Sequence, residues 1–183
     1  MLTVQHVNIK IFATKADIDL TDAIPIYHRW IQENTMPEML IDVADYKHVP
    51  DGPGVMIIGN QVDYSLDEQE GRLGILYNRK GVVHLDTQGA LKQAFEAARH
   101  AAKLLEAEPA FAGKLKFDAG DVEVIINDRI IAPNTDATWQ TLSPEIKKFF
   151  AGIYGNDDFI LEHRGEPRER FRVGVKTGKP VDA

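Results

Sequence analysis

Residues 4 to 12 alternate, with Val7, Ile9 and Ile11 on one side and His6, Asn8 and Lys10 on the other. A period of two is the mark of a strand with one buried face. The pattern changes to a helical period from Ala23 to about Asn34, where Ile24, Tyr27, His28 and Ile31 recur on one face, and Met36-Pro37 ends the run. Met39 to Val43 is too short to choose between strand and helical turn. Pro50 to Gly54 must be a turn, because two prolines remove donors and two glycines relax the backbone. Val55 to Ile58 is apolar on both sides and predicts a buried strand. Gln61 to Gly71 reads as an acidic hairpin connection, and Arg72 to Asn78 as the next strand.

The strongest helical signal begins at Asp86 or Thr87 and runs to about Ala107, with Leu91, Phe95, Ala98, Ala102 and Leu105 as its apolar stripe. Asp121 to Asn127 alternates again as a strand. Beyond Pro133 a short helix carrying Trp139 and Leu142 is predicted. A second helix starts at Ser143-Pro144-Glu145 and buries Ile146, Phe149, Phe150 and Ile153 up to Gly155. Phe159 to Glu162 and Phe171 to Val175 form a last hairpin, and the residues from Thr177 read as frayed.

From 4 to 127 the order is strand, helix, strand, strand, helix, strand. This is the ferredoxin-like split βαβ order, an antiparallel sheet with helices on one face. The fold class expected is therefore α+β: a split βαβ core over residues 1–131, then two helices and a C-terminal β-hairpin over 132–183 packed on the same domain. In that topology the loop 42–54 shares a sheet end with Asn78-Arg79-Lys80, Asn127-Asp128-Arg129 and His6.

Composition narrows the classes. The 183 residues carry a formal net charge of -7, which disfavours nucleic acid and anionic membrane surfaces. No cysteine is present, so thiolate chemistry and cysteine-ligated metals are excluded. The N-terminal residues lack the charged start and apolar run of a signal peptide, and no stretch is apolar enough for a membrane span. A cytoplasmic protein is the expectation.

Candidate chemistry concentrates in residues 38 to 60. Asp42, Asp45 and His48 fall three apart, beside Tyr46 and a rigid turn. Asp45 and His48 are the candidate acid–base pair, and Asp42, Asp45 and His48 together would suit a hard or borderline divalent metal. The alternative is a surface loop whose aspartates bond their own backbone. No other cofactor is implied. His28 either packs in the helix or walls a pocket shared with Asp45 and His48. Arg79, Asn127 and Arg129 are candidate ligand groups, since an arginine can grip a carboxylate or phosphate. Asp42, Tyr46 and His28 complete that ligand set. The basic hairpin with Arg164, Arg168, Arg170, Arg172 and Lys176 is either a solvated strand face or an anion site. No G-x-S-x-G, H-E-x-x-H or phosphate-loop signature occurs.

Three functional readings follow. The first is a protein that binds a small polar molecule or a protein partner, with a homodimer formed through a sheet or hairpin edge. The second is a metal-assisted or acid–base hydrolase or lyase. The third is a structural interaction module.

Overall fold

The alternation around Ile9 places its strand at the centre of a large sheet. In the computed structural model, which describes residues 2–183, the elements run β1 (Val7–Ala16), α1 (Ala23–Glu33), β2 (Leu40–Asp45), β3 (Val55–Gly59), β4 (Val62–Asp67), β5 (Gly74–Arg79), α2 (Thr87–Ala107), β6 (Leu115–Ile126), α3 (Asp136–Tyr154), β7 (Phe159–Arg164) and β8 (Phe171–Thr177). The fold is α+β. The strands form one open sheet in the order β2-β3-β4-β5-β1-β6-β8-β7, and every neighbouring pair is antiparallel. No helix among the described residues is long and apolar enough to cross a membrane.

Local chemistry sets the helix ends. Asp86 caps α2 by accepting from the Gly89 N–H, and Thr135 caps α3 by accepting from Thr138 N–H. Asn34 and Gly155 close α1 and α3 in left-handed conformations, at φ 51° and 70°. Val7, Ile9 and Ile11 of β1, Ile75 and Tyr77 of β5, and Val122, Val124 and Ile126 of β6 all join the core with the alanine-rich face of α2. Phe95 of α2 is fully buried and lies edge-on to Phe149 and Phe150 of α3, at centroid separations of 5.9 and 5.5 Å. Trp30 is buried too, and its indole N–H donates to Glu108 at the end of α2, which ties the two helices together.

Several expectations need correction. The strand order does not confirm the four-stranded split βαβ core, because β4 separates β5 from β3 and β2 extends the sheet further. Residues 62–67, read as connection, form β4, and all six are buried. Its polar members Asp63, Ser65 and Asp67 alternate with Val62, Tyr64 and Leu66, and both faces are covered. Residues 136–154 form one helix rather than two. Buried Leu142 and Ile146 flank Pro144 and hold the helix together although one backbone donor is missing. Ile153 falls off the stripe and is 37% exposed. The tail is not frayed: Ala119 donates to Val181 O, Asp182 bridges Asp118, and Ala183 is buried.

Phe95→Ala should cost about 3–5 kcal/mol in chemical denaturation, because three aromatic rings lose a shared contact. Ile153→Ala should stay within about 0.5 kcal/mol, as befits a half-exposed position.

Candidate functional site

The helices cover one face of the sheet only. The other face receives the alternate residues of each strand, and beside Phe12, Leu76 and Ile125 these include many polar groups, among them seven at its centre: Asn8 and Lys10 on β1, Asp63, Ser65 and Asp67 on β4, and Asp121 and Glu123 on β6. All seven are nevertheless buried. A charge removed from water needs a partner, and each charged member of this group has one. Lys10 Nζ lies 2.5 Å from Asp67 Oδ1. Glu123 accepts from Arg172 at 2.8 Å and lies 3.5 Å from Arg164. Asp121 meets Arg72 at 2.8 Å and Lys176 at 3.1 Å, and Asp63 meets Lys80 at 2.7 Å.

The connection after β4 folds back to shelter this face. Gln69 N–H donates to Asp67 Oδ1, Lys10 Nζ donates to Gln69 O at 3.4 Å, and Glu70 takes a hydrogen bond from Arg172. Asp51 fixes the same connection by accepting from Glu70 N–H at 2.5 Å. Arg72 lies over the Phe12 ring, 3.7 Å from its centroid.

Toward the end of the face where β1 begins, three asparagines form a chain. Asn8 Nδ2 donates to Asn78 Oδ1 at 2.7 Å, and Asn127 Nδ2 donates to both Asn8 and Asn78. Arg170 closes the chain by donating to Asn127 Oδ1 at 3.0 Å. Next to it is a cavity of about 420 Å³ lined by Arg129, Arg170 and Arg172, with Asp51, Glu70 and Glu169 around it. Arg172 is committed to Glu123 and Glu70. Burial alone would lower its pKa, but these two carboxylates raise it further above the guanidinium range. Arg170 moves the other way, lowered first by burial and then by the neighbouring Arg172. Arg129 donates to the Arg168 carbonyl. Among the described residues neither Arg129 nor Arg170 forms an ion pair with a carboxylate. Asp67 Oδ2 and Arg172 Nε are buried without a hydrogen-bond partner.

Of the residues singled out from sequence, Arg129 lines this cavity and Asn127 borders it through its bond to Arg170. The others are elsewhere. Asp42 is exposed on the edge strand β2 and accepts from Val43 N–H; Asp45 ends that strand and accepts from Lys47 N–H. Tyr46 and His48 are exposed in the following turn, with ring centroids 6.4 Å apart. Among the described residues no group of three or more histidine or acidic side chains is arranged to hold a metal, so Asp42, Asp45 and His48 are not gathered into one. His28 is exposed on α1, away from the core face of that helix. Arg79 belongs to the helix-side set of β5 and donates to Gly81 O; its neighbour Asn78 is the one on the polar face.

The expected meeting of loop 42–54 with Arg129 at one sheet end is also corrected. Four antiparallel steps separate β1 from β2, so those two strands are parallel, whereas β6 opposes β1. His48 follows β2 and Arg129 follows β6, and they leave the sheet at opposite ends. Only Asp51 reaches the cavity, by way of Glu70. Lys10, Asp67, Asn78, Glu123, Arg170 and Arg172 were not singled out as one site. The available signal was that the polar sides of the strands around β1 and β6 carry charges of both signs. No protein-family model matches the chain, and no curated protein matches its sequence.

Beside Arg129, Asp128 Oδ1 takes a hydrogen bond from His6 Nδ1 at 2.6 Å, and Oδ2 takes two more from the Gln5 and His6 N–H groups. Burial alone would raise the Asp128 pKa, but the bonds from His6 and Gln5 outweigh it and hold the carboxyl below its ordinary value.

Two outcomes follow. Breaking the buried pair with Lys10→Met or Asp67→Leu alone should cost about 3–5 kcal/mol, and the double variant much less than the sum; denaturation of all three would show it. A lowered folded-state pKa at Asp128 gives stability that is present above about pH 4, its unfolded value, and is lost as the pH falls through the lower folded value. Asp128→Asn should therefore flatten the acid limb of the stability–pH profile.

Proposed function

We propose that the protein binds a small polar ligand through an anionic group, a carboxylate or phosphate, held in the cavity between Arg129 and Arg170. The observation that carries this reading is the pair of guanidinium groups without an ion-pair partner beside a cavity on a face whose buried strand charges are all paired. A guanidinium presents donors in a fixed fork that matches a carboxylate or phosphate. Asp51, Glu70 and Glu169 around the same cavity offer acceptors for hydroxyl or amine groups elsewhere on the ligand.

The core is read as an enlarged form of the ferredoxin-like split βαβ plan, with the meander β2 to β5 in place of the central hairpin. The open edges β2 and β7 are where a second copy would pair.

A second reading, acid–base catalysis, is favoured by His6. Asp128 fixes its tautomer through Nδ1, and a hollow of about 360 Å³ beside it shares Arg129 with the anion cavity. His6 is better oriented for proton transfer than the exposed His48.

Calorimetric titration with inorganic phosphate and with succinate tests the binding reading. Arg129→Gln and Arg170→Gln should each weaken binding about tenfold or more, the worth of one hydrogen bond to a charged group. Absence of binding to either anion, or affinities unchanged in both variants, would remove the reading.

A further inference from the structure

The opposite side of β4 carries a different kind of cavity. α1 packs on β2 and β3, and α2 packs on β1, β5 and β6, so the gap between them lies over β4. There the structure holds a cleft of about 520 Å³ with mostly apolar walls, including Pro37, Leu85 and Ala97. Its floor is the ring of Tyr64, which is fully buried and stands edge-on to Tyr77 at 5.3 Å. Concave, mostly apolar hollows with a few fixed polar groups are the usual form of small-molecule sites.

The polar groups here have a definite sign. Tyr64 Oη donates to Glu38 Oε2 at 3.0 Å. Burial first, and the Glu38 carboxylate second, raise the Tyr64 hydroxyl far above the ordinary phenol range, so it stays a donor. The bond fixes one oxygen of Glu38 and leaves Oε1 with no hydrogen bond from any described residue. Glu38 is half-buried and has no ion-pair partner among the described residues. The other charged side chains of the cleft are Lys92 and Glu96, and His100 lines it as well. Lys92 and Glu96 face each other at 3.8 Å on the solvent side of α2, and Gln93 is held by Tyr77 Oη at 2.6 Å. Arg79, behind the tyrosines, is bonded to the Gly81 carbonyl. The cleft thus holds one carboxylate without an ion-pair partner against mostly apolar walls, a combination that a cation with an apolar body satisfies.

We infer that this cleft is a second ligand site, and that it takes a small organic amine whose ammonium group meets Glu38 and whose apolar body lies against Pro37, Leu85 and Ala97. The site is independent of the arginine cavity, which lies on the other face of the sheet.

The probe is phenethylamine, with phenethyl alcohol and hydrocinnamate as neutral and anionic counterparts of similar shape. Affinities come from calorimetry, and the location from amide shifts of Ala97 and His100 in NMR spectra of the full chain. The amine should bind about tenfold tighter than the alcohol, with hydrocinnamate weakest. Glu38→Gln should abolish the amine preference while the amide spectrum stays that of the folded protein. Arg129→Gln should leave amine binding unchanged. Hydrocinnamate binding as tightly as the amine would overturn the inference. So would an amine preference that survives Glu38→Gln, or no saturable amine binding at millimolar concentration.

Discussion

Three helices cover one face of an eight-stranded sheet, and the other face must satisfy itself. The protein does this with charge. Lys10, at the centre of the sheet, is buried against Asp67, and Glu123 is buried against Arg172 and Arg164. Buried ion pairs of this kind return little net stability, because desolvation opposes the attraction. What they supply here is register. A slip of one residue would turn Lys10 toward the alanine-rich face of α2 and Asp67 toward the apolar helix side of β4, and would turn Ile9 and Leu66 toward the polar face. The cavity exists because this pairing is incomplete where β6 ends and β8 begins, at Arg129 and Arg170.

The same constraint explains what could be read from the sequence. The helix from Thr87 was legible because its stripe of Leu91, Phe95 and Ala98 has a clean helical period and an aspartate cap. The central strand was legible because Ile9 and Ile11 alternate with polar residues. β4 was not. Asp63, Ser65 and Asp67 look the same in sequence whether the side they mark faces water or a layer of arginine and lysine. An acidic segment read as a connection hides a fully buried strand, and the omission reverses the direction of β3 relative to β1, and with it the sheet end of the loop before β3, while β5 and β6 still oppose β1 as expected. His48 and Arg129 were brought together on that basis, and the structure separates them.

The site was legible in the same partial way. Asn127 and Arg129 stand out as a polar cluster after an apolar strand; Arg129 lines the cavity, and Asn127 borders it through its bond to Arg170. From sequence, Arg170 and Arg172 read equally as a solvated strand face or an anion site, because the partners that decide between the two are distant in the chain. Those partners, Glu123 and Asn127, belong to the neighbouring strand and its end, and pairing of distant strands leaves no local trace. Asp42, Asp45 and His48 drew attention by density alone. An exposed edge strand and the turn after it are places where such residues collect because they are soluble, and charge on an edge also deters unwanted strand pairing.

The asparagine chain has a bearing on how the protein comes into being. Its links join residues far apart along the polypeptide: Asn8 to Asn127 across 119 positions, and Asn127 to Arg170 across a further 43. Contacts at such separations are made late, since closing each loop costs entropy before any contact repays it. β8 follows every other described strand along the chain, and it brings Arg170 and Arg172 with it. A chain whose synthesis halts before residue 170 has no arginine cavity to offer, whatever the state of its core.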